Sequence, residues 1–205
     1  ILVSFGYHSK NFRLDASSET LLIEGDPDLK YLQEISEKYG SKEFLILTYT
    51  PKERMVSDTS INNLLSLKYK IQSLNWVHSV ITLLDIPLLN SSDAPLQERL
   101  ENFKTLKDED VDRNRGFNEI KSSPVFRNFV ISEDGKTSGI IVNIKKSEKL
   151  KNVDNKSKKE IEKYKDLIKK QNHKNILEIR DVIASYNDIG KIHLGGIPMI
   201  ADDMM

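Results

Sequence analysis

The sequence predicts an α+β sandwich, a single sheet with helices packed against one face. Short apolar, β-branched runs of strand length alternate with longer stretches of helical periodicity. Turn and cap residues fall between these runs, where chain reversals are needed. No run approaches the ~20 consecutive apolar residues of a membrane-spanning helix. At 205 residues, 38% hydrophobic and 30% charged, the chain is sized for one domain with a substantial core.

Ile1-Leu2-Val3-Ser4-Phe5 is apolar and does not begin with methionine, which suggests a piece of a longer polypeptide. A polar, turn-rich stretch follows, from Asp15-Ala16-Ser17-Ser18-Glu19 to Glu24-Gly25-Asp26-Pro27. Asp26-Pro27 reads as a helix start, because proline is tolerated in a first turn whose N–H groups lack partners. The helix is expected from Asp28 to Tyr39, with Leu29, Leu32, Ile35 and Tyr39 on one face and Gly40 as its stop. Phe44 to Thr50 is continuously apolar and β-branched, which predicts a buried strand ended by Pro51.

Ser57-Asp58-Thr59 offers helix caps. Ile61, Leu64, Leu67 or Lys68, Ile71 and Leu74 follow at helical spacing. Trp76 to Leu84 again reads as a strand, closing a β-α-β unit over 44–85. Residues 86–124 are polar and helix-biased, with a stripe of Leu96, Leu100 and Phe103 and a helix expected from Glu109 to Ile120. Phe126 to Ser132 and Ser138 to Lys145 read as two short strands. Glu133-Asp134-Gly135-Lys136 joins them with the Asp-Gly signal of a hairpin. Ile140, Val142 and Ile144 should alternate inward.

Ser157 can cap a long helix carrying Ile161, Tyr164, Ile168, Ile176, Ile179, Ile183 and Tyr186, reaching Asn187 with a break near Asn172. Gly190 reads as its C-terminal stop, and Ile192-His193-Leu194 as the last strand. Set apart from the excursion over 86–124, the order is β-α-β-β-α-β, the ferredoxin-like order. The organisation expected is one domain over 1–205. It comprises a leading segment and helix (1–43), a β-α-β unit (44–85) and a helical insertion (86–124). A hairpin, long helix and last strand follow (125–198), then an exit (199–205).

Thirty-one basic and 31 acidic residues cancel, so the whole chain has no electrostatic preference for nucleic acid. The charge is uneven. Eight acids face three bases between Asp15 and Glu43, and twelve lysines face five acids between Lys145 and Lys174. The lysine-rich stretch can meet an anionic surface such as lipid, or simply be a solvated helix face. Cysteine is absent, which excludes disulfides, thiol nucleophiles and thiolate metal sites.

Asp108, Asp110, Asp112 and Glu119 have the spacing of a calcium loop, but Arg113 stands where that loop needs its glycine, and an acidic helix start is the simpler reading. His8, His78, His173 and His193 include no pair with zinc-helix spacing. His78 and His193 lie in expected strands and would meet only if those strands were neighbours. Trp76 reads as core or edge cover. Asn90-Ser91-Ser92 and Asn155-Lys156-Ser157 match the glycosylation pattern, which matters only in a eukaryotic secretory setting. No nucleophile elbow, phosphate loop or dinucleotide glycine motif is present. The sequence therefore names no catalytic, cofactor-binding or metal-binding residue, and substrate-contacting residues are not read from it.

Several segments, in order, resemble the resistance-nodulation-division (RND) superfamily of bacterial exporters, in the branch of the mycobacterial-type large membrane proteins (MMPL) and the hopanoid transporters. They are Phe12 to Pro27, Tyr39 to Thr50, Val77 to Leu89, Phe126 to Val142 with its Ile-Ser-Glu-Asp-Gly-Lys-Thr turn, and His193 to Asp202. Lys145 to Lys170 matches least. The resemblance implies the first periplasmic loop between two membrane helices, with Ile1–Phe5 and Met199–Met205 leading to those helices. It implies a porter domain on the periplasmic face of the inner membrane, moved by proton entry elsewhere in the transporter. Its partners would be the companion loop and membrane helices of the same protein, in a full-length oligomer, with a hydrophobic or lipid-like cargo. Two other readings stand beside it: a free-standing periplasmic ligand-sensing or lipid-binding module, since the fold hosts many functions, and a hydrolase, for which no convergent nucleophile and base can be named. A cleft is expected beside the sheet or the insertion.

Overall fold

The computed structural model describes residues 43–90, 102–145 and 158–204, with residues 31, 95 and 97, and excludes the side chains of 158, 159 and 161. The expected helix over 28–39 apart from Tyr31, the side chains of Leu96 and Leu100, His8, Asn155 and the Ser157 cap lie outside the described residues.

The fold is α+β, with a four-stranded antiparallel sheet and four α-helices among the described residues. Strand β1 (Phe44–Pro51) leads to helix α1 (Asp58–Gln72) and strand β2 (Val77–Ile81). Helix α2 (Arg113–Ser122) and strand β3 (Ser138–Ile144) follow. The long helix α3 (Lys158–Ser185), strand β4 (Gly190–Gly195) and short helix α4 (Ile197–Asp203) complete the chain. The spatial order is β2-β3-β1-β4, and every neighbouring pair is antiparallel. No helix among the described residues is long and apolar enough to cross a membrane.

One face of the sheet is filled. Leu45, Leu47 and Tyr49 of β1 and Ile140 and Val142 of β3 are fully buried. Ile61, Leu64, Leu67 and Ile71 of α1 and Ile176, Ile179 and Val182 of α3 belong to the same core. The spacing that predicts these helices also sets their buried stripes. Ser57 caps α1, its Oγ accepting from the Ser60 N–H at 3.2 Å.

Several boundaries differ from the expectation. The second strand ends at Ile81 because Thr82 and Asp85 form a capping box, which turns Leu83–Asp85 into a 3₁₀ turn. Leu83 and Leu84 still reach the core, but from that turn. The insertion helix starts at Arg113, where Asp112 caps the N–H groups of Asn114 and Arg115 at 2.9 and 3.1 Å. Phe103 is exposed rather than part of an apolar stripe. The long helix runs unbroken past Asn172 and ends at Ser185. Asn172 spends its amide on the Pro198 carbonyl at 2.7 Å, so it ties α4 to α3 instead of ending the helix.

Gly190 is not the helix stop. It opens β4 opposite Pro51, and a Cβ there would lie 2.4 Å from the Thr50 carbonyl oxygen. Phe126–Ser132 is not a strand either. It folds into turns held by Val130 N–H to Phe126 O at 2.8 Å and Asn128 N–H to Ile131 O at 2.7 Å. Asn128 takes φ of 64°, a left-handed conformation that asparagine tolerates. Only isolated bridges remain, among them Ile131 to Ser138. The Asp-Gly turn is retained, with Gly135 at φ of 76°.

Candidate functional site

The other face of the sheet carries the site. In an antiparallel sheet, paired residues point to the same side. The register places Ile81, Ile141, Ile46 and Gly195 in one row across all four strands. The next row holds Ser79, Asn143 and Phe44, with Asn143 Nδ2 donating to Ser79 Oγ at 2.9 Å. A solvated sheet face is ordinarily polar. Here Phe44 and Ile46 are 45% and 40% exposed, and Ile81 is exposed beside them. The continuous apolar run of β1 predicts a buried strand, but α1 and α3 pack on the same side, and among the described residues no element covers the other.

The turns over 126–130 build a wall on this face. Gly139 makes that possible. Its N–H donates to the Val130 carbonyl at 2.7 Å, and a Cβ there would lie 3.0 Å from the Phe129 carbonyl oxygen. Val130 and Ile131 are buried as anchors, while the Phe129 ring is 70% exposed above the sheet. Between wall and sheet lies a groove of about 400 Å³. Its floor is Phe44, Ile46, Thr48 and Ile141. Thr48, Asn128, Ser132 and Thr137 supply its polar side chains, and no ionisable side chain lines it. It therefore offers an apolar surface with a few neutral hydrogen-bonding groups, suited to binding a hydrophobic group. This matches the cleft expected beside the sheet.

A smaller hollow of about 210 Å³ lies at the start of α1, lined by Lys52, Glu53, Ser60, Asn63 and Asp188 among others. Close by, Tyr49 Oη is buried with no hydrogen-bond partner among the described residues. Burial pushes the Tyr49 phenol up, against the opposing influence of the nearby Asn63 and Ser60 side chains.

The carboxylates weighed as metal ligands are otherwise engaged. Asp108 accepts from the Thr105 N–H and Oγ1 at 2.7 and 3.0 Å. Asp110 pairs with Lys104 at 3.0 Å, and that ammonium holds its carboxyl below the usual range. Glu119 accepts from the N–H groups of Leu89 and Asn90 at 2.6 and 3.0 Å, fastening the insertion. Among the described residues no group of three or more histidines and carboxylates is arranged to hold a metal ion. His78 and His193 stand on β2 and β4, the two opposite edge strands, so they do not meet. His173 Nδ1 lies 2.9 Å from the buried Asp202 carboxylate. Trp76 is core, with its indole N–H donating to Glu178 at 2.9 Å.

Phe44, Ile46, Phe129 and Ile141 were not singled out by motif or spacing. Their signal is arithmetic: two core helices cover one face of a four-stranded sheet, while β1 is apolar at both odd and even positions. The sequence matches no protein-family model and no curated protein.

Proposed function

We propose that this chain is a periplasmic porter-type domain of an RND superfamily exporter, a ferredoxin-like sandwich with a helical insertion, standing on the outer face of the bacterial inner membrane. Its role is transport, with the domain forming part of the path of a hydrophobic or lipid-like cargo. Its partners are the companion loop and membrane helices of the same transporter. The observation that carries the reading is the apolar groove on the open sheet face, floored by Phe44, Ile46 and Ile141. The β-α-β-β-α-β order with strands arranged β2-β3-β1-β4 supports the fold assignment.

Two measurements test it. The parent reading frame should place apolar spans of about 20 residues on both sides of this segment; a frame encoding a free-standing protein overturns the reading. A fluorescent acyl-chain probe should bind the domain, and Ile46→Asp should weaken that binding about tenfold while leaving the fold intact. Unchanged binding by the variant moves the path away from this groove.

A further inference from the structure

We infer that α4 is a latch closed on α3 by side-chain contacts, which opens at Gly196 while the sheet and its core stay folded. A seven-residue helix is too short to persist in water by itself. Among the described residues its first turn has no side-chain cap. Its form therefore depends on what it packs against, and that is chiefly α3.

The helix is held by polar groups more than by apolar burial. The Asp202 side chain points inward and is only 3% exposed, whereas Ile197, Ile200 and Met204 are exposed. Pro198 is buried and Met199 packs partly buried against the core. Three residues of α3 make the polar contacts. Asn172 Nδ2 donates to the Pro198 carbonyl at 2.7 Å, His173 Nδ1 lies 2.9 Å from the Asp202 carboxylate, and Arg180 Nη2 donates to Asp203 at 2.6 Å. The last pair is partly exposed on both sides, where an ion pair contributes little. Each contact is a small fraction of the stability of a domain. Losing them releases α4 by a local opening, well before the core gives way.

The boundary of the opening is set at Gly196. Its φ is 119°, a conformation that side chains rarely adopt, and a Cβ there would lie 3.1 Å from the Phe44 carbonyl oxygen and 3.2 Å from Leu45 Cα. The chain can turn here, against the start of β1, because the residue is glycine. Just before it, Gly195 is paired with Ile46 in the sheet, so β4 stays fixed on its own strand contacts. The same hypothetical Cβ would lie 3.5 Å from Leu45 Cδ2. Opening α4 thus bares the end of the core at Leu45, which is fully buried when the latch is closed. The inference does not depend on the transporter reading.

The chain has no cysteine, so a single introduced thiol reports without background. The test is the rate at which Met199→Cys reacts with a maleimide in the native 205-residue chain. Val182→Cys, buried on α3, reports opening of the core in a second chain. The latch is cut by Asn172→Ala together with His173→Ala, since alanine suits a helix and leaves α3 in place. Cutting it should speed reaction at Met199→Cys at least about tenfold, the effect of one to two lost hydrogen bonds, and leave Val182→Cys unchanged. Arg180→Ala, which cuts the contact to Asp203, should act in the same direction by a smaller factor. Equal acceleration at both thiols would make α4 an inseparable part of the core. An unchanged rate at Met199→Cys would show that these contacts do not hold it. Reaction of the uncut chain as fast as in urea would show that α4 is not docked at all. Each of these three results overturns the inference.

Discussion

Trp76 donates its indole N–H to the Glu178 carboxylate at 2.9 Å, joining the residue before β2 to the C-terminal half of α3, 102 positions later in the chain. The indole is buried while the carboxylate is partly exposed and also lies 3.8 Å from Lys174. This bond locks the long helix in rotation, presenting Ile176 and Ile179 to the core.

Trp76→Phe removes the donor and leaves a small void. A loss of about 1–2 kcal/mol is expected in urea unfolding, a little above an ordinary hydrogen bond because the acceptor is charged. Glu178→Gln retains an acceptor oxygen and should cost less. Equal losses for the two variants would show that the charge on the acceptor, not the packing of the ring, sets the effect.

Gly190 and Gly195 begin and end the same strand, yet they should respond differently to alanine. At Gly190 the new Cβ meets backbone at 2.4 Å, while at Gly195 the nearest atom is 3.8 Å away. Gly190→Ala is expected to lower stability by about 2 kcal/mol or more through forced separation of β4 from β1. Gly195→Ala should stay within about 0.5 kcal/mol. Thermal unfolding of the two variants checks the contrast.

Asp85 holds together α1, the turn after β2 and the insertion. Its carboxylate pairs with the nearly buried Lys68, accepts from Lys107 at 3.2 Å, and accepts from the Thr82 N–H and Oγ1 at 2.8 and 2.9 Å. Burial alone would raise its pKa, but Lys68, Thr82 and Lys107 together outweigh burial and hold it below the usual carboxylate range. A carboxylate depressed in the folded state stabilises at pH above its unfolded value, about 3.9. That contribution should vanish as pH falls through the lower folded value. Asp85→Asn should cost about 2–4 kcal/mol at neutral pH by stranding Lys68. It should also flatten the acid limb of the stability profile. An unchanged acid limb would assign the acid sensitivity to other groups.

Tyr49→Phe should cost nothing, or stabilise by up to about 1 kcal/mol, because it removes a buried hydroxyl that has no hydrogen-bond partner among the described residues. A loss above about 1 kcal/mol in denaturant unfolding would mean that the hydroxyl is satisfied in solution, for instance by an ordered water.

Periodicity made much of the fold legible in advance. Leu45, Leu47 and Tyr49 alternate as a strand must, and Ile61, Leu64, Leu67 and Ile71 recur as a helix must, so each element and its inner face follow from local geometry. Phe126–Ser132 misled because aromatic and β-branched residues favour strands only where a partner strand is free to pair. Here β3 is already paired to β1 and β2.

The amino-acid order alone determined which residues are apolar, where the chain can turn, and that no thiol chemistry is available. It did not determine on which side of the sheet the helices would come to rest, nor that Gly139 would admit the wall carrying Phe129. Those depend on contacts between residues far apart in the chain, which no local pattern encodes. Among the described residues, α1 and α3 both lie on one side, and that is what leaves Phe44, Ile46 and Ile141 outside the core.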